Sequence, residues 1–303
     1  MDAQSRVISL SFPVIGLYKS LLRELDLIWQ FTGRDISSTI IPPVLFIVAA
    51  SHYVQSSFSE LLLALGYGTL FVWLYLFSFC LSNQIAGVEE DRINKPNRPL
   101  VTGKISLHGA LVRWFLSMGL FTFVGWYFGV LEWALICQMV VILHNFGGWD
   151  KYWITKNFLI GLGTFAHLAA VWQLITPITP IAWQWLFLIG GIWSTLVAVQ
   201  DLRDIEGDLA VNRSTFPIAF GETTSRIILS LGFGLLPLII HFILMMPTVN
   251  TVSTLLCDIV LAVFSWLIAA RIVLNRSPQE DHHTYMLFTY WYCLVVASAI
   301  VVL

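Results

Sequence analysis

The stretch LLLALGYGTLFVWLYLFSFCLSNQIAGVEEDRINKPNRP, Leu61 to Pro99, decides the fold. Leu61–Ser82 carries no charge and is long enough to cross a bilayer, which takes about 20 apolar residues in a helix. Directly after it come Asn83, Gln84, Glu89, Glu90 and Asp91. A second acidic stretch, Asp201, Leu202, Arg203, Asp204, Ile205, Glu206, Gly207, Asp208, leaves another apolar run in the same way. Only 11% of the residues are charged. Packing carboxylates against hydrocarbon-like sequence is costly unless a cation sits among them, and a divalent metal is the economical choice.

The rest of the chain extends this pattern. Its 303 residues are 57% hydrophobic, with 13 Trp and 21 Phe, and the mean hydropathy is +0.79. That composition excludes a soluble globule and specifies an all-α polytopic membrane protein. Nine apolar runs lie near 36–57, 61–82, 108–129, 131–146, 157–176, 181–200, 224–245, 253–274 and 286–303, the fourth and last being short. They read as a single domain over 1–303, a bundle of nine transmembrane helices.

If these helices alternate across the bilayer, all 16 Lys and Arg fall on one side or at the helix ends nearest it. By the positive-inside rule that side, with both acidic stretches, is cytosolic. Residues 1–33 show no cleavable leader pattern. There Leu21, Leu22, Leu25, Ile28, Trp29 and Phe31 alternate with Lys19, Arg23, Glu24 and Asp26, as in an amphipathic helix lying on the membrane surface. Cys80, Cys137, Cys257 and Cys293 are scattered without metal-ligand spacing and read as packing residues. The two halves echo one another, each passing from an apolar helix to an acidic segment and then to a basic, Pro- or Gly-bearing stretch, which suggests two bundles facing one site. Pro96 and Pro99 should stop the first motif helix.

If each acidic stretch continues the helix it leaves, Asn83, Gly87, Glu90 and Asp91 share one face, as do Asp201, Asp204 and Asp208, while Glu89 and Glu206 point away. Oxygen ligands with no His or Cys among them suit Mg²⁺, which is commonly completed by phosphate oxygens. Arg92, Lys95, Arg98 and Lys104 follow the first motif, Arg203 and Arg213 accompany the second, and Lys151 and Lys156 lie between spans 4 and 5. With a metal they could neutralise a diphosphate and make it a good leaving group. Cytosolic Lys and Arg are also expected in any membrane protein.

The runs Asn83–Pro99 and Asp201–Asp208, followed by Phe216, Pro217, Ile218, Ala219, Phe220 and Gly221, resemble the UbiA superfamily of intramembrane prenyltransferases. The resemblance implies a nine-helix bundle of UbiA type in which two aspartate-rich motifs hold Mg²⁺ and an isoprenyl diphosphate at the mouth of a lipid-accessible cavity. On that pattern the metal ligands are Asn83, Asp91, Asp201, Asp204 and Asp208, with Asp91 and Asp201 catalytic. Gly87 replaces the middle Asp of the usual first motif, and Glu90 is expected to substitute for it. Gln84 stands where many aromatic prenyltransferases of the family carry a second acid. The Asn-Gln start and the Glu-Asp-x2-Asn-Lys-Pro-x-Arg-Pro run look more like fungal members, among them membrane-bound terpene cyclases; a fungal origin would imply the endoplasmic reticulum. The diphosphate is expected to meet Arg34, Lys95, Arg98, Lys151, Tyr152, Lys156 and Arg203. Arg34 and the Tyr152–Lys156 pair are placed by family position alone, and an interfacial anchor is an equal reading for them.

His144 and Asn145 close span 4 and could meet the site or cap the helix. His167 and His241 are lone histidines in apolar runs and read as satisfied core residues. Ionisation of an allylic diphosphate leaves a carbocation, which a cyclase stabilises on aromatic faces in a dry cavity and a transferase passes to an acceptor whose proton needs a base. Ionisable groups inside the spans are scarce, which favours a Mg²⁺-dependent terpene cyclase acting on a substrate such as farnesyl diphosphate. A prenyltransferase acting on an aromatic or lipophilic acceptor is the alternative. A transporter or lipid-binding protein would need ionisable residues at the bilayer midplane. The bilayer and the isoprenyl diphosphate are the expected partners, and nucleic acid is not.

Overall fold

A computed structural model describes residues 3–248 and 251–303, with side chains described except at 3–17, 93 and 94. Among the described residues the chain is helical, and its one β-bridge pairs Tyr152 with Ser214. The helices are α1 (Ala3–Thr32), α2 (Ile36–Tyr53, broken at Ile40), α3 (Phe58–Ala86), α4 (Val88–Asn94), α5 (Leu107–Tyr127), α6 (Leu131–Asn145), α7 (Trp153–Gln173), α8 (Pro180–Arg203), α9 (Ile205–Ala210), α10 (Phe216–Phe220), α11 (Glu222–Met245), α12 (Val252–Leu274) and α13 (Pro278–Val302). Eight of them are long and apolar enough to cross a membrane, and α6, at 15 residues, is a shorter apolar helix in the place of the expected fourth span.

Hydroxyl caps set many of the starts. The side chains of Ser57, Ser106, Thr179, Thr251 and Ser277 each accept a hydrogen bond from a backbone N–H in the first turn that follows. Ser57 and Glu60 complete a reciprocal capping box. The last span was expected to start near 286; it starts at Pro278 and runs 25 residues. Its first turns carry Glu280, Asp281, His282 and His283, so hydropathy hides them, while Ser277 and Pro278 mark the true start.

Consecutive helices pack as antiparallel neighbours, and α13 returns against α2 to close the ring. The tightest crossing joins α7 to α8, where Gly161 faces the Gly190 carbonyl and Ser194. Phe46, Phe71, Trp172, Trp185, Trp291 and Tyr292 are fully buried between helices. On α1, Leu21, Leu22, Leu25 and Trp29 form an exposed apolar face while Leu27 and Phe31 are buried. Arg113 of α5 holds Glu24 of α1 at 2.6 Å.

The acidic stretches do not continue their helices. α3 ends at Gly87, and the chain starts again as α4. α8 tightens into a 3₁₀ turn over Val197–Arg203, and α9 begins after Asp204. Pro96 and Pro99 follow the end of α4 at Asn94. Each half of the sequence echo is thus a long helix, a break and a short helix.

Candidate active site

Three cavities meet at the end of the bundle where both motifs lie. The largest, about 560 Å³, is a chamber between the α1–α2 turn, α3, α7 and α8. Trp29, Phe31, Tyr75, Phe79, Trp193 and Tyr285 give it aromatic walls, and Arg34, Asp35, Asn83, Gln84 and Arg98 stand at its mouth. A second cavity of about 330 Å³ takes Glu90, Asp91, Asp150 and Lys151, and a third of about 480 Å³ takes Arg203, Asp204 and Asp208. Lys95, Glu90 and Arg213 line both of these clefts.

The breaks decide which ligands converge. Asn83 and Asp91 stay together: Arg98 donates to Asp91 at 2.5 Å and to Asn83 at 3.1 Å. Asn145 of α6 accepts from Asn83 at 3.3 Å and donates to Ser82 at 2.7 Å, so the end of span 4 meets the first motif. His144 lies 3.0 Å from the same Asn145 oxygen. Glu90 lines the same cleft as Asn83, Gly87 and Asp91. The break at Gly87 turns it toward Arg213, which donates to it at 2.9 Å. Arg213 also meets Asp150 at 2.8 Å and Asp208 at 3.5 Å, so one guanidinium ties the first motif to the second. Asp201 is buried and takes the ammonium of Lys156 on one oxygen, while its other oxygen has no partner. Asp204 lines a cleft with Asp208, apart from the buried Asp201. The 3₁₀ turn aims it outward, 47% exposed and 3.1 Å from Arg203. Arg203 in turn lies 4.6 Å over the Tyr285 ring. Glu89 and Glu206 are exposed, as their phase predicts.

Of the diphosphate candidates, Arg34 and Arg98 line the chamber, Lys95, Lys151 and Arg203 line the clefts, and Lys156 reaches Asp201. Tyr152 is 63% exposed and lies outside the lining of these three cavities. Its backbone, not its ring, is engaged, through the bridge to Ser214. Burial pushes the Lys95 ammonium below its usual pKa, and Arg98 adds to this, against Asp91, Asp204 and Glu90. Burial raises the Asp208 carboxyl against the pull of Lys156 and Arg213. Burial also works against the charge of Arg213, but Glu90 and Asp150 outweigh it and leave its pKa raised.

Asp35 escaped the sequence reading, and Cys80, His167 and His241 were read there only as packing or core residues. Asp35 lines the chamber and is exposed at its mouth. Desolvation raises its pKa, Arg98 draws it back, and the Cys80 thiol donates to it at 3.6 Å. An acid beside Arg34, at the start of the first span, was the signal available. Cys80 therefore lines the chamber as well as packing. His167 is buried as expected, but at least one ring nitrogen has no hydrogen-bond partner. His241 pairs with Asp258 at 2.6 Å.

Among the described residues no three His, Cys, Asp or Glu side chains stand close enough to enclose a metal by themselves. Mg²⁺ does not require that, because one or two carboxylates plus substrate phosphates commonly hold it. The unpartnered Asp201 oxygen and the hard oxygen set Asn83, Asp91 and Asp208 fit such an ion.

A model of the UbiA prenyltransferase family matches residues 40–293. The chain belongs to this family. It is an intramembrane enzyme of UbiA type, in the class of terpene cyclases and prenyltransferases. The UbiA chain is 41% identical to somaliensene A/B synthase of Streptomyces somaliensis, over 94% of its own length and 95% of the relative's. It is 35% identical to diterpene cyclase eriG of Hericium erinaceus, over 93% and 90%. In fold it matches a UbiA homologue from Archaeoglobus fulgidus bound to GPP and Mg²⁺, with a TM-score of 0.69 at 14% identity over 91% of this chain and 100% of that one.

Proposed function

We propose that the protein is a Mg²⁺-dependent terpene cyclase that ionises an isoprenyl diphosphate and closes the resulting carbocation on itself. The observation that carries this reading is the aromatic chamber opening directly onto the paired acidic motifs and their cations. The relatives named as a synthase and a diterpene cyclase support it. The diphosphate lies at the mouth, where Arg98, Lys95, Arg203 and Arg34 can take its oxygens, while Lys156 holds Asp201 behind them. Asn83 and Asp91 on one side, and Asp201 and Asp208 on the other, are the residues to hold Mg²⁺. Glu90 and Asp204 are secondary, since Arg213 holds the first and the second faces outward. When bound, the metal supplies charge neutralisation to the departing diphosphate. The chamber's own work is to exclude water and to present ring faces to the cation. Farnesyl diphosphate is the first substrate to test, with longer isoprenyl chains next. The acidic loops face the cytosol, at the endoplasmic reticulum in a fungal host.

The alternative is transfer of the isoprenyl chain to a lipophilic acceptor, and Asp35 favours it specifically, as a carboxylate open to the chamber where an acceptor could lose its proton. Membranes carrying the protein, given farnesyl diphosphate and Mg²⁺ without acceptor, should release pyrophosphate and a cyclic hydrocarbon detectable by gas chromatography. Turnover that begins only after an aromatic acceptor is added would refute the cyclase. Asp91→Ala and Asp201→Ala should each abolish turnover with membrane insertion intact, and activity surviving in either would refute the two-motif site.

A further inference from the structure

The deep wall of the chamber carries a group that the steps above do not use. His167 of α7 is 3% exposed and lines the cavity. Among the described residues the one acceptor beside the ring is the Gly163 carbonyl one turn earlier, so at least one of the two ring nitrogens has no hydrogen-bond partner. An unpaired imidazole nitrogen in an apolar interior is expensive, and such groups in a native fold call for a chemical reason. The ring is held in place by packing. Tyr75 of α3 lies against it with centroids 5.7 Å apart, and a Cβ on Gly163 would come 2.4 Å from the Tyr75 hydroxyl oxygen. Gly163 is therefore what lets Tyr75 reach α7 and fix the imidazole.

Helix geometry gives the depth. Along α7, His167 stands eleven residues beyond Lys156, about 16 Å from the ion pair with Asp201. Tyr75 stands eight residues before Asn83 on α3, about 12 Å from the first motif. The imidazole thus faces the tail of a prenyl chain whose diphosphate is at the mouth, far from the carbon that ionises.

Resting on the cyclase reading, we propose that His167 is the base that ends the reaction, taking a proton from the cyclised carbocation. A ring nitrogen lone pair forms the new N–H bond. The electrons of the broken C–H bond become the alkene π bond, and the positive charge passes to the imidazolium. The proton then leaves to the released diphosphate or to water as product departs, so substrate is converted to hydrocarbon and hydrogen diphosphate with nothing oxidised or reduced. Tyr75 is a positioning residue in this scheme.

The test compares wild type with His167→Gln and His167→Phe in membranes given an isoprenyl diphosphate and Mg²⁺ without acceptor, measuring pyrophosphate release and the hydrocarbon products together. Pyrophosphate release reports ionisation at the mouth separately from the last step, so product amounts are compared per pyrophosphate released. The products should keep the wild-type ring skeleton but change in their last step, to a shifted double bond or a water-captured alcohol. An unchanged product in both variants overturns the proposal. So does a changed ring skeleton with the original double bond retained, which would make His167 a wall and not a base. If one variant fails to fold, as judged by its melting temperature in detergent, the other decides. A wild-type protein without acceptor-independent turnover would overturn the cyclase reading itself, and this inference with it; wild-type cyclisation with unaltered variants would overturn this inference alone.

Discussion

Replacing Gly161 by Ala tests the contact that sets the two halves of the site against each other. An added Cβ would lie 1.8 Å from Ser194 Oγ and 2.5 Å from the Gly190 carbonyl oxygen. The serine can rotate away, but the carbonyl is backbone. Ordinary contact begins near 3.4 Å, so α7 and α8 must part by about 0.9 Å. Overpacking of this kind costs about 1–3 kcal/mol. Ala in place of Gly in a helix otherwise gains about 1 kcal/mol. Gly191, the next residue in α8 after Gly190, supplies the control, since a Cβ there meets nothing within 4 Å. Gly191→Ala should therefore hold or raise the melting temperature of the detergent-solubilised protein, and Gly161→Ala should melt below it by the overpacking term. Turnover should fall as well. Lys156 is five residues from Gly161, about 7.5 Å along the axis, so parting the helices pulls on its bond to Asp201. Equal melting of the two variants, or full activity in Gly161→Ala, would show that the helices do not need this approach.

Lys95 has a lowered pKa, so it loses its charge as pH rises sooner than an ordinary lysine; KM for the diphosphate should start to climb at a pH below the titration of an ordinary lysine. In Lys95→Arg the charge persists and that climb should vanish, whereas parallel profiles would remove Lys95 from the binding set. Asp35→Asn takes a negative charge from the chamber mouth and should lower KM about three- to tenfold, on the order of 1 kcal/mol; an unchanged KM would mean that Asp35 does not face the diphosphate. Arg213→Met leaves Glu90, Asp150 and Asp208 without their shared cation. Because these groups are partly exposed, the loss should be roughly 2 kcal/mol, below the roughly 3–5 of a fully buried pair. Added Mg²⁺ should restore part of the lost melting temperature and EDTA should abolish that recovery; a melting curve indifferent to both would argue against metal binding by these acids.

The spans were legible because hydropathy and hydroxyl caps act locally. Each expected run has its helix, and Thr179 and Pro180 start α8 beside the expected start of the sixth run near 181. The same local reading failed at α13, whose polar first turns are buried at Asp281 by pairing with Arg226 of α11 at 2.7 Å, a contact between residues 55 apart. The acidic residues of the motifs were legible by type, and by direction only in part. Phase arithmetic assumes one uninterrupted α-helix, and both motifs lie across a break; it placed Asn83, Glu90 and Asp91 on one cleft, but missed the pairing of Glu90 with Arg213 and the separation of exposed Asp204 from buried Asp201. His167 was hidden for a different reason. A lone histidine in an apolar run reads the same whether or not its nitrogens are paired, and only the packing of Tyr75 and Gly163 around it distinguishes the cases.

Gly87 ties these points together. Its φ of -101° is open to any residue, so backbone freedom does not explain a glycine here. A Cβ at 87 would sit 3.0 Å from the Asn83 carbonyl oxygen and 3.8 Å from Glu90 Oε2. An aspartate in that place would bring a second carboxylate up to Glu90, and like charges about 4 Å apart repel by several kcal/mol at the effective dielectric of a protein surface. With glycine there, Glu90 is free to take Arg213 and, through it, Asp150 and Asp208 of the other motif. The Glu90 carboxylate thus stands where a side chain at 87 would reach, in the cleft it shares with Asn83 and Asp91, and through Arg213 it carries the charge of the first motif to the junction with the second.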